Sequence, residues 1–267
     1  MLKQVAVVIP FYRDTIPAYE QVALQQCERI LSAYPKIAVK PVSLTLPDTA
    51  GIITFADTIS FNDDYFKSIA GYNRLMLSAE FYERFSDYEY LLIYQADAFV
   101  FRDELGHWCS QDWDYIGAPW IRKSEVKNPV KSLILKIQQE LSTSFNLKKD
   151  GVPNKYQFEN KVGNGGLSLR RVKKFYEVCI AMQPQIEAYL AETAHQYNED
   201  AFWSIEVNRK KKFLNIPGWK TGLKFAFETY PQHAYYLNGQ QLPFGCHDWD
   251  RYADYWRPVF KSFGYEI

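Results

Sequence analysis

Two unbroken apolar runs, in "QVAVVIPFY" (Gln4–Tyr12) and in "YLLIYQADAFVF" (Tyr90–Phe101), constrain this chain most. A strand with one wet face alternates apolar and polar residues, so a continuous run needs cover on both faces. The segments between the runs supply that cover. "IPAYEQVALQQCERILSAY" (Ile16–Tyr34) has helical spacing, and "DYFKSIAGYNRLMLSAEFYERF" (Asp64–Phe85) reads as one long helix capped by Asp63 or Asp64. "IAVKPVSL" and "TISFND" read as two further strands, with Pro41 marking an edge or a bend. The order β-α-β-(β)-α-β predicts an α/β fold whose central sheet is mostly parallel, with helices on both faces.

The second half is less regular. "WDYIGAPW" reads as a short strand and a turn, "KSLILKIQQELS" as a helix, and "VGNGGLSLRR" as a glycine turn entering a strand. Helices are expected over 171–193 and 198–209, and an aromatic one closes the chain. With no linker, repeat or low-complexity tract, residues 1–267 read as one domain. Residues 1–112 form its first half and 113–267 its second.

Composition narrows the function. Lys+Arg and Asp+Glu both number 31, so no net field argues for nucleic acid. Residues 121–161 depart from that balance, with nine basic side chains against four acidic, or +5. That stretch suits an anionic acceptor, a peripheral contact with an anionic membrane, or a solvated loop over a ligand. The four cysteines are scattered without a CxxC pair, which fits reduced thiols and a cytoplasmic setting. The apolar run at the N-terminus is too short for a signal segment or a membrane span. Aromatic residues make up 17% of the chain, and an aromatic core accounts for them more simply than ligand stacking does.

Asp97 closes an apolar strand, where a buried carboxylate is costly unless paired. In an open parallel sheet, ligands gather beyond the carboxyl ends of strands, which brings Pro10–Tyr12 and Gln95–Asp97 together. An aspartate there suits a hard divalent cation, and it equally suits a cap on the following turn. Glu199 and Asp200 in "YNEDAFWS" are candidates for a general base, or simply acids favoured at a helix start. His247 in "PFGCHDW" lies among aromatic residues, where a structural histidine is the commoner case. The three glycines at 163, 165 and 166 permit positive φ or close backbone approach.

Taken together, "YNRLMLSAEFYERF", "YLLIYQADAFVF", "WDYIGAPW", "GNGGLSLRR", "NEDAFWS" and "PFGCHDW" resemble glycosyltransferases of the GT-A fold. More narrowly, the chain resembles the glycosyltransferase-like family known as domain of unknown function DUF5672. The resemblance implies a nucleotide-sugar donor, UDP-sugars foremost, a saccharide or lipid-linked saccharide acceptor, and a role in surface or capsular polysaccharide synthesis. It implies donor contacts from Pro10, Phe11, Tyr12, Asn73, Arg74, Gln95, Ala96, Asp97, Gly165 and Gly166. Asp97 and His247 match the metal ligands, and the imidazole favours Mn²⁺ over Mg²⁺. Asp200 or Glu199 matches the catalytic base of inverting members; in a retaining enzyme the same carboxylate would only stabilise the reacting centre. Gln95 stands where the family's Asp-x-Asp motif has its first acid. The rival readings are a sugar-nucleotidyltransferase and an inert carbohydrate-binding relative.

Overall fold

The computed structural model describes residues 3–126 and 128–267. Lys127, one of the nine basic residues counted in 121–161, lies outside them. The first half runs β1 (Lys3–Pro10), α1 (Ala18–Ile30), β2 (Lys36–Pro41), β3 (Phe55–Phe61), α2 (Ile69–Met76), α3 (Ala79–Glu83) and β4 (Tyr88–Tyr94). These four strands pair in parallel in the order β3-β2-β1-β4. The strand Leu167–Arg171 continues the sheet antiparallel to β4, and Tyr115–Gly117 closes it antiparallel to that strand. Six consecutive residues of β1, Val5–Pro10, are buried, as expected of a strand covered on both faces.

The segment Asp64–Phe85, expected as one long helix, is instead broken into pieces. A 3₁₀ turn at Asp63–Tyr65 is capped by Asn62, and α2 and α3 follow as separate helices. The reason is local chemistry. The Ser68 hydroxyl accepts the Gly71 N–H at 3.1 Å and the Ser78 hydroxyl accepts the Phe81 N–H at 3.2 Å. Each serine thus satisfies a helix start inside what reads as one apolar period. The expected helix over 171–193 is likewise split into Val172–Ala181 and Gln183–Leu190, with Pro184 in the first turn of the second. The helix expected over 198–209 is α-helical only at Glu199–Ser204. Pro41 ends β2, which is an inner strand between β1 and β3.

A second, smaller sheet forms beyond β4. Gly245–Cys246 pairs in parallel with Ala226–Phe227 and antiparallel with Phe99–Val100. Behind it lies a separate core holding Phe99, Phe101, Trp256 and Phe260, in which the Phe99 and Phe260 rings stack at 4.0 Å. Much of the aromatic content is therefore structural. This sheet carries the C-terminal segment back to the end of β4. Among the described residues no helix is long and apolar enough to cross a membrane.

Removing either serine cap should weaken the break that shapes this region. Ser68→Ala and Ser78→Ala are each expected to lose about 1 kcal/mol in urea unfolding, with no change in the slope of the transition.

Candidate active site

β1 and β4 end side by side, and past their carboxyl ends opens a cleft of about 600 Å³. That volume lies within the range of pockets that enclose a small organic ligand. Pro10 and Tyr12 line it from the end of β1, and Gln95, Ala96 and Asp97 from the end of β4. The glycine turn supplies Asn164, Gly165 and Gly166, the start of the helix at 199 supplies Glu199 and Asp200, and the C-terminal segment supplies His247, Asp248 and Asp250. Asn73 also lines the cleft, but Phe11 and Arg74 do not. Phe11 turns into the core, edge-on to Phe55, and Arg74 is exposed on α2.

His247 is held where Asp97 can reach it. Its backbone N–H donates to Phe227 O at 2.9 Å, extending the small sheet by one bond. Its Nε2 lies 3.1 Å from Asp97 Oδ1 and 3.1 Å from Gln95 Oε1, and its Nδ1 lies 3.8 Å from Glu228 Oε1. Burial alone would lower the imidazole pKa; Asp97 and then Glu228 outweigh it and push it up to about 10. Burial would likewise raise Asp97, yet the His247 ring holds its carboxyl below the ordinary value. The costly acid at the strand end is thus paired.

A cation would find more oxygen here than Asp97 alone. Asp97, Asp248 and Asp250 each offer a carboxylate oxygen, and the three lie within 4.8 Å of one another. Asp248 takes a left-handed backbone, φ 53°, uncommon for a residue with a side chain. Three carboxylates with the Gln95 amide oxygen form an oxygen-rich donor set that fits a divalent ion, and His247 joins it only by giving up the proton that its raised pKa favours. The chain also spells Asp-x-Asp at Asp248-Trp249-Asp250, the signal that marks the two acids sequence reasoning missed.

Glu199 and Asp200, equivalent in the sequence, are separated by the fold. Glu199 Oε1 accepts from Arg170 Nη2 at 3.0 Å, and both side chains are buried. Arg170 also donates to Tyr82 Oη at 3.0 Å, Ser168 Oγ at 3.0 Å and Gly165 O at 3.3 Å. Glu199 Oε2 is left without a partner. Asp200 accepts the Ala201 N–H at 2.8 Å through Oδ1 and, among the described residues, has no cation of its own in hydrogen-bond range. Burial, followed by the Glu199 and Glu228 charges, pushes its carboxyl well above the ordinary range. Asn73 is committed to this segment. It donates to Asn198 Oδ1 at 3.0 Å and accepts the Glu199 N–H at 3.2 Å, so it caps the helix from outside.

The glycine turn serves close approach rather than unusual torsion, since none of its glycines has positive φ. A Cβ on Gly166 would lie 1.9 Å from His247 Nε2, one on Gly165 2.2 Å from Glu199 Oε1, and one on Gly163 2.3 Å from the Trp120 ring. Asn164 braces the turn, donating to Glu228 at 2.6 Å and accepting the Gly166 N–H at 2.9 Å. Asn164 and Arg170 lie within the glycine-turn segment without a signal that singles them out, Glu228 lies in no motif, and only the folded sheet brings the three here.

The sequence of residues 55–247 matches the family described as protein of unknown function, DUF5672. No curated protein matches the chain. An active-site mutant of LgtC superposes with a TM-score of 0.51 at 17% identity, over 91% of this chain and 86% of that one. Galactosyltransferase LgtC with donor and acceptor sugar analogues gives 0.49 at 16%, over the same shares. Core-mannan synthase A of Aspergillus fumigatus, in its Mn/GDP form, gives 0.47 at 11%, over 77% and 69%. The superposition on LgtC at a TM-score of 0.51 shows a shared fold, and the mixed sheet with its helices is GT-A-like. The chain is a member of the DUF5672 family, built on a GT-A-like fold.

Proposed function

We propose that the protein is a glycosyltransferase that moves a sugar from a nucleoside-diphosphate donor to a saccharide hydroxyl with inversion. One observation carries this reading: a single cleft joins a carboxylate cluster at the strand ends to Asp200, an acid with no cation of its own among the described residues. The GT-A-like fold shared with LgtC supports the class of reaction.

Asp97, Asp248 and Asp250 would hold a divalent cation, with Gln95 and His247 beside it. The ion, Mn²⁺ or Mg²⁺, would supply positive charge against the departing diphosphate. Pro10 and Tyr12, at the end of β1, would contact the nucleoside. Asp200 acts as the base. With Oδ1 engaged by Ala201, Oδ2 takes the proton of the acceptor hydroxyl as its oxygen bonds to the anomeric carbon and the bond to the diphosphate breaks. A raised pKa favours that role, because a stronger base accepts the proton more readily. Glu199 is held by Arg170 and keeps one oxygen free, which suits a hydrogen bond from a sugar hydroxyl.

A panel of nucleotide-sugars with Mn²⁺ or Mg²⁺ is the direct test, and sugar transfer that stops on chelation is the expected result. Pyrophosphate-dependent formation of a nucleotide-sugar would indicate a nucleotidyltransferase instead. Glycan binding without nucleotide binding would indicate an inert relative.

Asp248→Asn and Asp250→Asn should each raise the cation concentration for half-maximal rate about tenfold. Gly166→Ala should do the same by displacing His247, while the unfolding transition stays cooperative. A cation requirement unchanged in all three would remove the cluster from the metal site.

Asp200→Asn should lower kcat on the order of 10²–10⁴-fold. It has a second signature, in stability. A carboxyl raised in the folded state contributes stability that is complete below its unfolded pKa of about 3.9 and lost as pH rises through the folded value. Asp200→Asn is therefore expected to be more stable than the parent at neutral pH, with the advantage vanishing near pH 3. Equal stability at both pH values would contradict the raised pKa.

A further inference from the structure

The helix Pro129–Ser144 packs inside out. Val130, Leu133, Ile134, Ile137 and Leu141 recur three or four residues apart and form one stripe, which Phe145 prolongs. The whole stripe is exposed, Leu133 by 59% and Phe145 by 71%. The opposite face, which meets the protein, is largely polar. Ser142 is buried and its hydroxyl accepts from Asn154 Nδ2 at 3.2 Å; Gln139 Nε2 donates to Glu159 O at 2.9 Å; Thr143 O accepts from Arg209. A surface helix of a globular protein normally does the reverse, and a contiguous exposed apolar stripe marks an interaction site.

We infer that this face docks on an anionic lipid surface. Charge selects the partner. Lys131 and Lys136 are exposed beside the stripe, and Lys148 and Lys149 are exposed just after Phe145 and Leu147. Residues 121–161 carry +5 in a chain of zero net charge. Apolar side chains flanked by lysines match a helix lying in the plane of a membrane interface, with acyl chains under the stripe and acidic headgroups against the lysines. With 16 residues, the helix is shorter than the roughly 20 needed to span a bilayer. None of these residues lines the active-site cleft, so docking and transfer can be tested separately.

The test is co-sedimentation of the full chain with phosphatidylcholine vesicles, with and without phosphatidylserine. Binding is expected to need phosphatidylserine and to fall about tenfold in Ile134→Ser/Ile137→Ser and in Lys148→Glu/Lys149→Glu. Thermal midpoints should hold, because all four positions are exposed. All four native cysteines are buried, so Leu133→Cys can carry an environment-sensitive dye alone, and its emission should shift to the blue on phosphatidylserine vesicles. Sedimentation that ignores phosphatidylserine, or dye emission unchanged by it, overturns the proposal. So does a stable dimer in light scattering that the isoleucine variants dissociate, since the stripe would then belong to a second copy.

Discussion

One buried guanidinium holds the candidate site together. Arg170 lies on the antiparallel strand beside β4, fully enclosed, and its donors reach four places at once: Glu199, the Gly165 carbonyl, Ser168 and Tyr82 on α3. Removing one partner from a buried pair typically costs about 3–5 kcal/mol, because the other charge stays behind without compensation. The pair therefore fixes geometry as much as it adds stability. It draws the acidic helix, the glycine turn and the helix α3 to one point, and it occupies Glu199. Asp200 is left as the acid without a cation, and the roles of two adjacent carboxylates divide.

Gln95 becomes intelligible in the same terms. As a lone departure from an acidic motif it suggests a weakened cation site. In the fold its amide oxygen meets His247, and the cluster draws its other two acids from Asp248 and Asp250, more than 150 residues later in the chain. Charge absent from one strand end is present in a segment that packs against it.

Much of the frame was legible in the chain because burial on both faces of a strand leaves a local signature. The apolar runs at Val5–Pro10 and Leu91–Tyr94 placed β1 and β4, and with them the position of Asp97. The sequence pattern did not show that Ser68 and Ser78 would start new helices, since a serine inside an apolar period reads equally as a cap or as a surface residue. Phe11 and Arg74 adjoin cleft residues in sequence but alternate away from them in space. Arg170 and Asn164 lie within the glycine-turn segment but gave no sign of their roles, and Glu228 lies in no motif, because what they do depends on contacts made only in the folded sheet. The stripe on Pro129–Ser144 was visible as a helix, but which face it turned outward depended on partners such as Asn154 and Glu159.

The carboxylate cluster also joins distant parts of the chain. Asp97 follows β4 of the large sheet, whereas Asp248 and Asp250 follow the strand Gly245–Cys246 of the small one. The cluster thus depends on long-range packing, since its acids meet only when the segment carrying Asp248 and Asp250 is docked. A group that binds all three acids favours that docked state by mass action, acting as a clasp between the large sheet and the small one.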